Sequence, residues 1–321
     1  MSTDDPRRML SNVRTLVEEG RVDEACAAAR RLVDTALGRG ATRSAVSTIS
    51  QVVGPLVAAD RWTKALELVD AALACIEESH DPQSRGRLLA VRSGLLRTPR
   101  RYEEALDDLT AALELLDGHA NEAVLTTLRH DRAVLLADLG QTDAAVTGLV
   151  AAREAFLGMR DRVGVAASDH NLGFVLHDLG VLDDAIEYLT EARDIFLAID
   201  MGEEAASCDQ NLGVVFYDAG RLADAGRRFA AAHRRFVEYG ATVSAGECDA
   251  NVSTLLTTMG QSEEAARYRR RAEAAGVGIA TAPGSSSQLP VIDVAAAPGG
   301  RGEDDRSGRG QGGGTFGSAS A

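Results

Sequence analysis

The chain has little positive charge on lysine and few aromatic side chains. Lys64 is the only lysine among the 321 residues, and Phe, Trp and Tyr together make up 4% of the chain. The 34 Lys and Arg residues face 48 Asp and Glu residues, which gives a formal net charge of −14. Affinity for nucleic-acid phosphates comes from clustered Lys and Arg, so this balance argues against a nucleic-acid partner.

The sequence also lacks the patterns of membrane spans, disulfide scaffolds and common catalytic sites. The first ten residues, MSTDDPRRML, are charged from the start, and no apolar run reaches the length of a membrane span. The four cysteines, at 26, 75, 208 and 248, form no CxxC pair, which favours reduced thiols. No P-loop, HExxH or GxSxG motif occurs. We therefore expect a cytoplasmic, non-enzymatic chain with no cofactor, no metal site and no membrane partner.

A forty-residue period organises most of the sequence. Alanine recurs at positions 25, 65, 105, 145, 185, 225 and 265. A second column of alanines follows seven residues later, at 72, 112, 152, 192, 232 and 272, with Leu32 as the exception. Self-similarity at one fixed period is the signature of a repeat architecture.

Each unit is predicted to be a helix, a tight turn and a second helix. In the fifth unit Leu172, Val175 and Leu179 follow helical spacing, and Gly180 then supplies the residue that closes a helix. Asp183 lies in the first turn of the next helix, where a negative charge is favourable. Because two helices alone cannot bury such an apolar face, successive units are expected to stack into a solenoid.

The NLG sequences at 171–173 and 211–213, the turn glycines and both alanine columns resemble those of the tetratricopeptide repeat (TPR) family. The form is the long-period one of many bacterial examples and of kinesin light chain. In two units, Arg92 and Arg132 replace the Leu of NLG. The resemblance implies an all-α fold, a right-handed α-solenoid of about seven stacked units over residues 1–276. The units, numbered one to seven below, lie near 6–40, 41–80, 81–120, 121–160, 161–200, 201–240 and 241–276.

Residues 277–321 have a different composition from the repeats. They are rich in Gly, Ser and Pro and contain the run APGGRGEDDRSGRGQGGGTFGSASA. Such a segment cannot bury enough apolar surface to order itself, so a disordered tail is predicted.

The resemblance also implies a binding groove, since in TPR proteins the first helix of each unit lines the concave surface. Carrying those positions over residue by residue gives a predicted peptide-binding set. It consists of His130, Asp131, His170, Asn171, Phe174, His177, Asp178, Gln210, Asn211, Tyr217, Asp218 and Asn251.

Two interpretations of the asparagine column at 171, 211 and 251 remain open. The amides could pair with the backbone of an extended peptide, or they could bond the neighbouring unit and stiffen the stack. Because asparagine is a mediocre helix residue, its recurrence favours peptide binding. Asp138, Asp178 and Asp218 have no matching Lys or Arg column, so a neutral or basic segment is the expected partner.

These observations favour a scaffold or adaptor that binds a peptide or a partner helix in its groove. The alternative is a regulatory or substrate-recruiting subunit of a separate enzyme or signalling system. Similar long-period arrays occur in bacteria fused to caspase-like CHAT peptidases and to nucleotide-switch regulators. Neither reading identifies the partner, and both leave the oligomeric state open.

Overall fold

The computed structural model describes residues 11–278, apart from 14, 17, 18, 40, 59–60, 78–80 and 98–99. In that part of the chain helices are present, strands are absent, and no helix is both long and apolar enough to cross a bilayer. Helical residues at 11–13 and 15–16 precede thirteen longer helices. They are α1 (Val22–Gly38), α2 (Thr42–Ala58), α3 (Trp62–Glu77), α4 (Pro82–Arg97), α5 (Tyr102–Leu116), α6 (Glu122–Asp138), α7 (Thr142–Met159), α8 (Arg162–Asp178), α9 (Leu182–Ala198), α10 (Gly202–Asp218), α11 (Leu222–Glu238), α12 (Thr242–Thr258) and α13 (Ser262–Ala274).

The helices pack in chain order, each against the one before and the one after. The even-numbered helices α2 to α12 are the first helices of units two to seven, and the odd-numbered ones are the second helices. This succession confirms the predicted all-α solenoid of stacked helical units. The division into a solenoid at 1–276 and a tail remains a prediction, and residues 279–321 lie outside the described part.

Glycine ends the first helix in units four to seven, as the sequence predicts. Gly180 has a φ of 75°, in the left-handed region that suits glycine. Its N–H donates to the His177 carbonyl at 2.8 Å, and the Val181 N–H donates to the Leu176 carbonyl at 2.9 Å. This Schellman arrangement satisfies the last carbonyls of α8 and turns the chain into α9.

The two alanine columns lie at the contacts between helices. In α9, Ala185 and Ala192 are fully buried, and they alternate along the helix with the equally buried Leu189 and Phe196. An alanine at such a contact lets two helix backbones approach closely, while the larger side chains fill the space beside it. The same alternation recurs in α7 and α11, so one packing scheme repeats along units four to six.

In units four to seven the first helices lie on the inner side of the array. In units four to seven successive first helices contact one another directly. In the same units the second helices reach one another through long side chains, as in the 3.0 Å ion pair between Arg153 of α7 and Glu191 of α9. A stack whose first helices are closer than its second helices bends toward the first helices.

The junction between units three and four is longer than the one that follows it. Residues 117–121 separate α5 from α6, whereas 160–161 alone separate α7 from α8. Asn121 caps α6, because its side-chain oxygen accepts a hydrogen bond from the Val124 N–H at 2.9 Å.

Helix contacts at glycine give a stability prediction. A Cβ added to Gly213 would lie 2.5 Å from Cε1 of the buried Phe229 ring. Gly213→Ala should therefore lower the free energy of unfolding by about 1–3 kcal/mol through overpacking, as measured by urea denaturation. Gly226→Ala is the control, because the nearest atom to its added Cβ is Leu255 Cδ2 at 3.4 Å. That change should be neutral or stabilise by about 0.5–1 kcal/mol. Equal losses in both variants would contradict this account.

Candidate functional site

The candidate site is the inner face, defined here as the solvent-facing side of the first helices α6, α8, α10 and α12. Nine of the twelve predicted groove residues retain exposed surface there. Asp178 and Asp218 are the most open, with 51% and 43% of their side chains exposed. The other seven are half-buried: Asp131, Phe174, His177, Gln210, Asn211, Tyr217 and Asn251.

Three of the predicted groove residues do not reach this surface. His130 and His170 have no exposed surface, and Asn171 is 4% exposed. Each is covered because the neighbouring unit packs over it, so a bound peptide could not touch these side chains. Their assignment as groove-lining residues is corrected here: they lie between units.

Asparagine and histidine form hydrogen bonds across two successive unit boundaries. The Asn171 amide nitrogen lies 3.1 Å from Nε2 of His130, and that of Asn211 lies 2.7 Å from Nε2 of His170. The amide donates in each pair, so the imidazole nitrogen accepts and the ring is neutral. These contacts support the second interpretation of the asparagine column, in which the amide stiffens the stack. No such side-chain bond holds Asn251 in the described structure.

Burial keeps His170 neutral. It lowers the pKa of this imidazole from 6.5 to about 4, because a charged ring loses its hydration inside the protein. The Nδ1 atom has no hydrogen-bond partner among the described residues, so the ring is held through Nε2 alone.

A second row of cross-unit hydrogen bonds lies nearer the solvent on the inner face. His177 Nε2 lies 2.7 Å from Asp218 Oδ2, and the Tyr217 hydroxyl lies 2.8 Å from the Thr258 hydroxyl. The carboxylates of Asp178 and Asp218 raise the pKa of His177 above its ordinary value of 6.5. These links hold the exposed polar groups of adjacent units in register.

The exposed part of the inner face combines acids with aromatic surface. Phe174 and Tyr217 each show part of their rings, and Asp178 and Asp218 lie in the same helical turns. This arrangement offers apolar contact together with negative charge. It is suited to a segment with an apolar side chain and a neutral or positive charge.

A column of buried aspartates was not predicted from the sequence. Asp169, Asp209 and Asp249 stand forty residues apart on the first helices, and each is almost completely buried. Each pairs with a basic group of the preceding second helix: Arg153, Arg193 and His233 respectively. The aspartates and their basic partners both recur with the forty-residue period of the alanines. The sequence therefore contained the pattern from which this pairing could have been predicted.

Asp209, the middle aspartate of this column, has the most basic partners. Asp209 accepts from Arg228 at 2.9 Å, is bonded to Arg235, and lies 3.7 Å from Arg193. Because a buried carboxylate is costly unless paired, these contacts make the column part of the packing between units. It is not aimed at the inner face.

The described residues contain no grouping of three or more His, Cys, Asp or Glu side chains suited to a metal ion. Cys208 and Cys248 are buried and free. Burial raises the pKa of the Cys208 thiol well above its ordinary value, which disfavours the reactive thiolate.

Similarity to known proteins lies in the fold. No protein-family model matches the chain, and no curated protein matches its sequence. The apo form of RapI superposes with a TM-score of 0.64 at 15% identity, covering 84% of this chain and 97% of that one. BtubC from P. vanneervenii gives a TM-score of 0.57 at 19% identity, covering 67% and 91%. The Rap conjugation gene regulator of plasmid pLS20, in complex with the Phr* peptide, gives 0.56 at 17% identity, covering 81% and 73%. The chain therefore shares the TPR-type repeat fold of such proteins.

The buried amide bonds predict unequal roles for the asparagines. Asn171→Ala should lower the free energy of unfolding by about 1–3 kcal/mol, because it leaves the buried His130 Nε2 without a partner. Asn251→Ala, which removes no side-chain bond of the described structure, should change it by less than about 0.5 kcal/mol. Urea denaturation followed by circular dichroism measures both values. Similar small losses in the two variants would show that the Asn171–His130 bond contributes little.

A second prediction concerns pH. Burial raises the pKa of Asp169 from 3.8 to about 6, so this group stabilises the fold below pH 3.8 and loses that contribution as pH rises through 6. His170 acts in the opposite sense: its contribution is present above pH 6.5 and is lost as pH falls toward 4. Asp169→Asn should therefore lose more stability than the unmodified chain as pH falls from about 6 to about 4.

Unfolding free energies measured at several pH values between 4 and 7 test this prediction. Asp107→Asn is the control, since that carboxylate is exposed on the surface of α5. Curves for Asp169→Asn and the unmodified chain that run parallel over this range would contradict the assignment.

Proposed function

We propose that this chain, which has the fold of TPR-type solenoids, is a protein–protein interaction module. It binds a peptide or a partner helix along the inner face of units four to seven, and it acts as a scaffold or adaptor without catalysing a reaction. The preferred segment is neutral or basic and carries at least one apolar anchor.

The observation that carries this proposal is the exposed acidic and aromatic band of α8 and α10. Phe174, Asp178, Tyr217 and Asp218 present apolar area and negative charge on one surface. Cross-unit bonds from His177 and Tyr217 fix the spacing of that surface before a ligand arrives. A preformed surface costs less ordering on binding than a flexible one.

The structural neighbours support a role in binding or regulation. One of them is described as a conjugation gene regulator in complex with a peptide. That pairing also supports the alternative, in which this chain is a regulatory or recruiting subunit of a separate enzyme or signalling system. The two roles share the same first step, the capture of a peptide or helix on the inner face.

Selection of peptides from a random library against the intact chain tests the proposal. The enriched sequences should be neutral or basic and should contain apolar anchors. Phe174→Ala together with Tyr217→Ala should abolish their binding while circular dichroism stays unchanged. Enrichment of acidic peptides, or binding that survives both substitutions, would overturn the proposal.

Charge reversal on the inner face gives a quantitative prediction. Asp178→Arg should weaken binding of a selected basic peptide about threefold to tenfold, since one attractive pair becomes repulsive. Fluorescence anisotropy at low salt measures the dissociation constant. Asp183→Arg makes the same charge change in the first turn of α9, away from the inner face, and should leave the dissociation constant unchanged. If both variants raised the dissociation constant equally, binding would depend on the net charge of the chain and not on a contact at Asp178.

A further inference from the structure

A cleft separate from the inner face lies between the two helices of unit four. Its volume is about 520 Å³, and its lining includes Thr126, Arg129 and Arg132 of α6 and Asp143 and Gly148 of α7. A Cβ added to Gly148 would lie 2.7 Å from Cβ of Ala133, so the Gly148 side of α7 faces α6.

The preceding unit shows what an arginine does at this position. Arg92, one repeat before Arg132, donates from Nε and Nη2 to the two carboxylate oxygens of Asp108 at 2.7 and 2.6 Å. Its Nη1 also donates to Asp70 at 3.2 Å. Such a fork on a carboxylate is among the stronger polar contacts in proteins.

Unit four keeps the arginine and lacks both acids. The residue one repeat after Asp108 is Gly148, and the residue one repeat after Asp70 is Thr110. No hydrogen bond or ion pair holds the Arg132 side chain within the described part of the chain. Arg129 differs, because its guanidinium is paired with Glu122 at 2.5 Å. Among the described residues, the Arg132 guanidinium therefore lacks the carboxylate partners that the repeat gives to Arg92 in unit three.

A buried hydroxyl points to a ligand independently. Thr126 is 1% exposed and lines the same cleft, and its Oγ1 has no hydrogen-bond partner among the residues that the structure describes. An unsatisfied buried polar atom costs about 1–3 kcal/mol, so native structures rarely leave one without a use. The remaining walls are mainly apolar, formed by Ala133, Leu136 and Ala151.

We propose that the unit-four cleft binds a monocarboxylate carried on a short apolar stem. The Arg132 guanidinium takes the carboxylate as Arg92 takes that of Asp108, and the alanine and leucine walls contact the stem. Thr126 offers its buried hydroxyl to the carboxylate after rotation about its Cα–Cβ bond. Asp143 is exposed at the same cleft and disfavours ligands with a second negative charge, such as phosphate. A free organic acid and an acidic side chain of a partner protein share this chemistry. The site does not depend on peptide binding by the inner face.

The repeat supplies a sharp test of this site. Thr110→Asp restores the carboxylate that Asp70 provides one repeat earlier, so it should occupy Arg132 from within the chain. Thr110→Asn has nearly the same shape without the charge and is the matched control. Arg132→Leu removes the fork and should fold, because Leu172 and Leu212 stand at the same position in the next two units.

Titrations of the full chain by NMR, with arginine Nε–Hε and threonine signals observed, use three probes: sodium butyrate, N-acetylglutamic acid α-amide and inorganic phosphate. Either carboxylate should shift the Arg132 and Thr126 signals saturably, and phosphate should bind more weakly. Thr110→Asp should weaken binding about tenfold or more, Thr110→Asn should not, and Arg132→Leu should abolish the saturable shifts at Thr126. Tighter binding of butyrate would indicate a free acid, and tighter binding of the glutamate derivative an acidic side chain.

Two results would overturn the proposal. One is the absence of saturable shifts at Arg132 and Thr126 with both carboxylates, or tighter binding of phosphate than of either. The other is unchanged carboxylate binding in Arg132→Leu, which would place the ligand elsewhere.

Discussion

The close approach of neighbouring helices at alanine is the constraint on which the rest of this structure depends. Ala145, Ala185 and Ala225 are fully buried at equivalent contacts, one in each of units four to six. A larger side chain there would push the helices apart, and the next unit would inherit the displacement. Because the same small residue returns every forty positions, each unit is set on the last with the same offset.

That regular offset lets short side chains bridge units. Asn171 reaches His130, Asn211 reaches His170 and His177 reaches Asp218, each pair separated by 41 residues. An amide and an imidazole have little reach, so these bonds tolerate little variation in the distance between units. The buried hydrogen bonds therefore form only because the apolar packing sets the distance between units. Since hydrogen bonds are directional, they also fix how adjacent units are aligned.

The sequence allowed the fold to be predicted but only part of the candidate site. The alanine period and the Gly180 turn are local features, so the helices and their stacking could be inferred from them. The burial of Asn171 could not be inferred from the sequence. A side chain at that position of a helix contacts solvent, a ligand or a neighbouring unit, depending on how closely the next unit packs. Asp169 and Arg153 follow the period too, but charged residues on helices are usually solvated, which hid their pairing. Arg132 became informative only once the partners of Arg92 were known.

Side-chain links that span one unit boundary have a consequence for changes in chain length. If residues 161–200 were removed, Asn211 would stand 41 residues after His130, as Asn171 does now, and Asp209 would stand 16 residues after Arg153, as Asp169 does now. Both buried pairings would be re-formed by different residues of the same types. A deletion whose length is not a multiple of forty would instead change the separation of every pair that bridges it. The array can therefore gain or lose whole forty-residue units and keep its buried polar pairs, whereas other changes of length disrupt them.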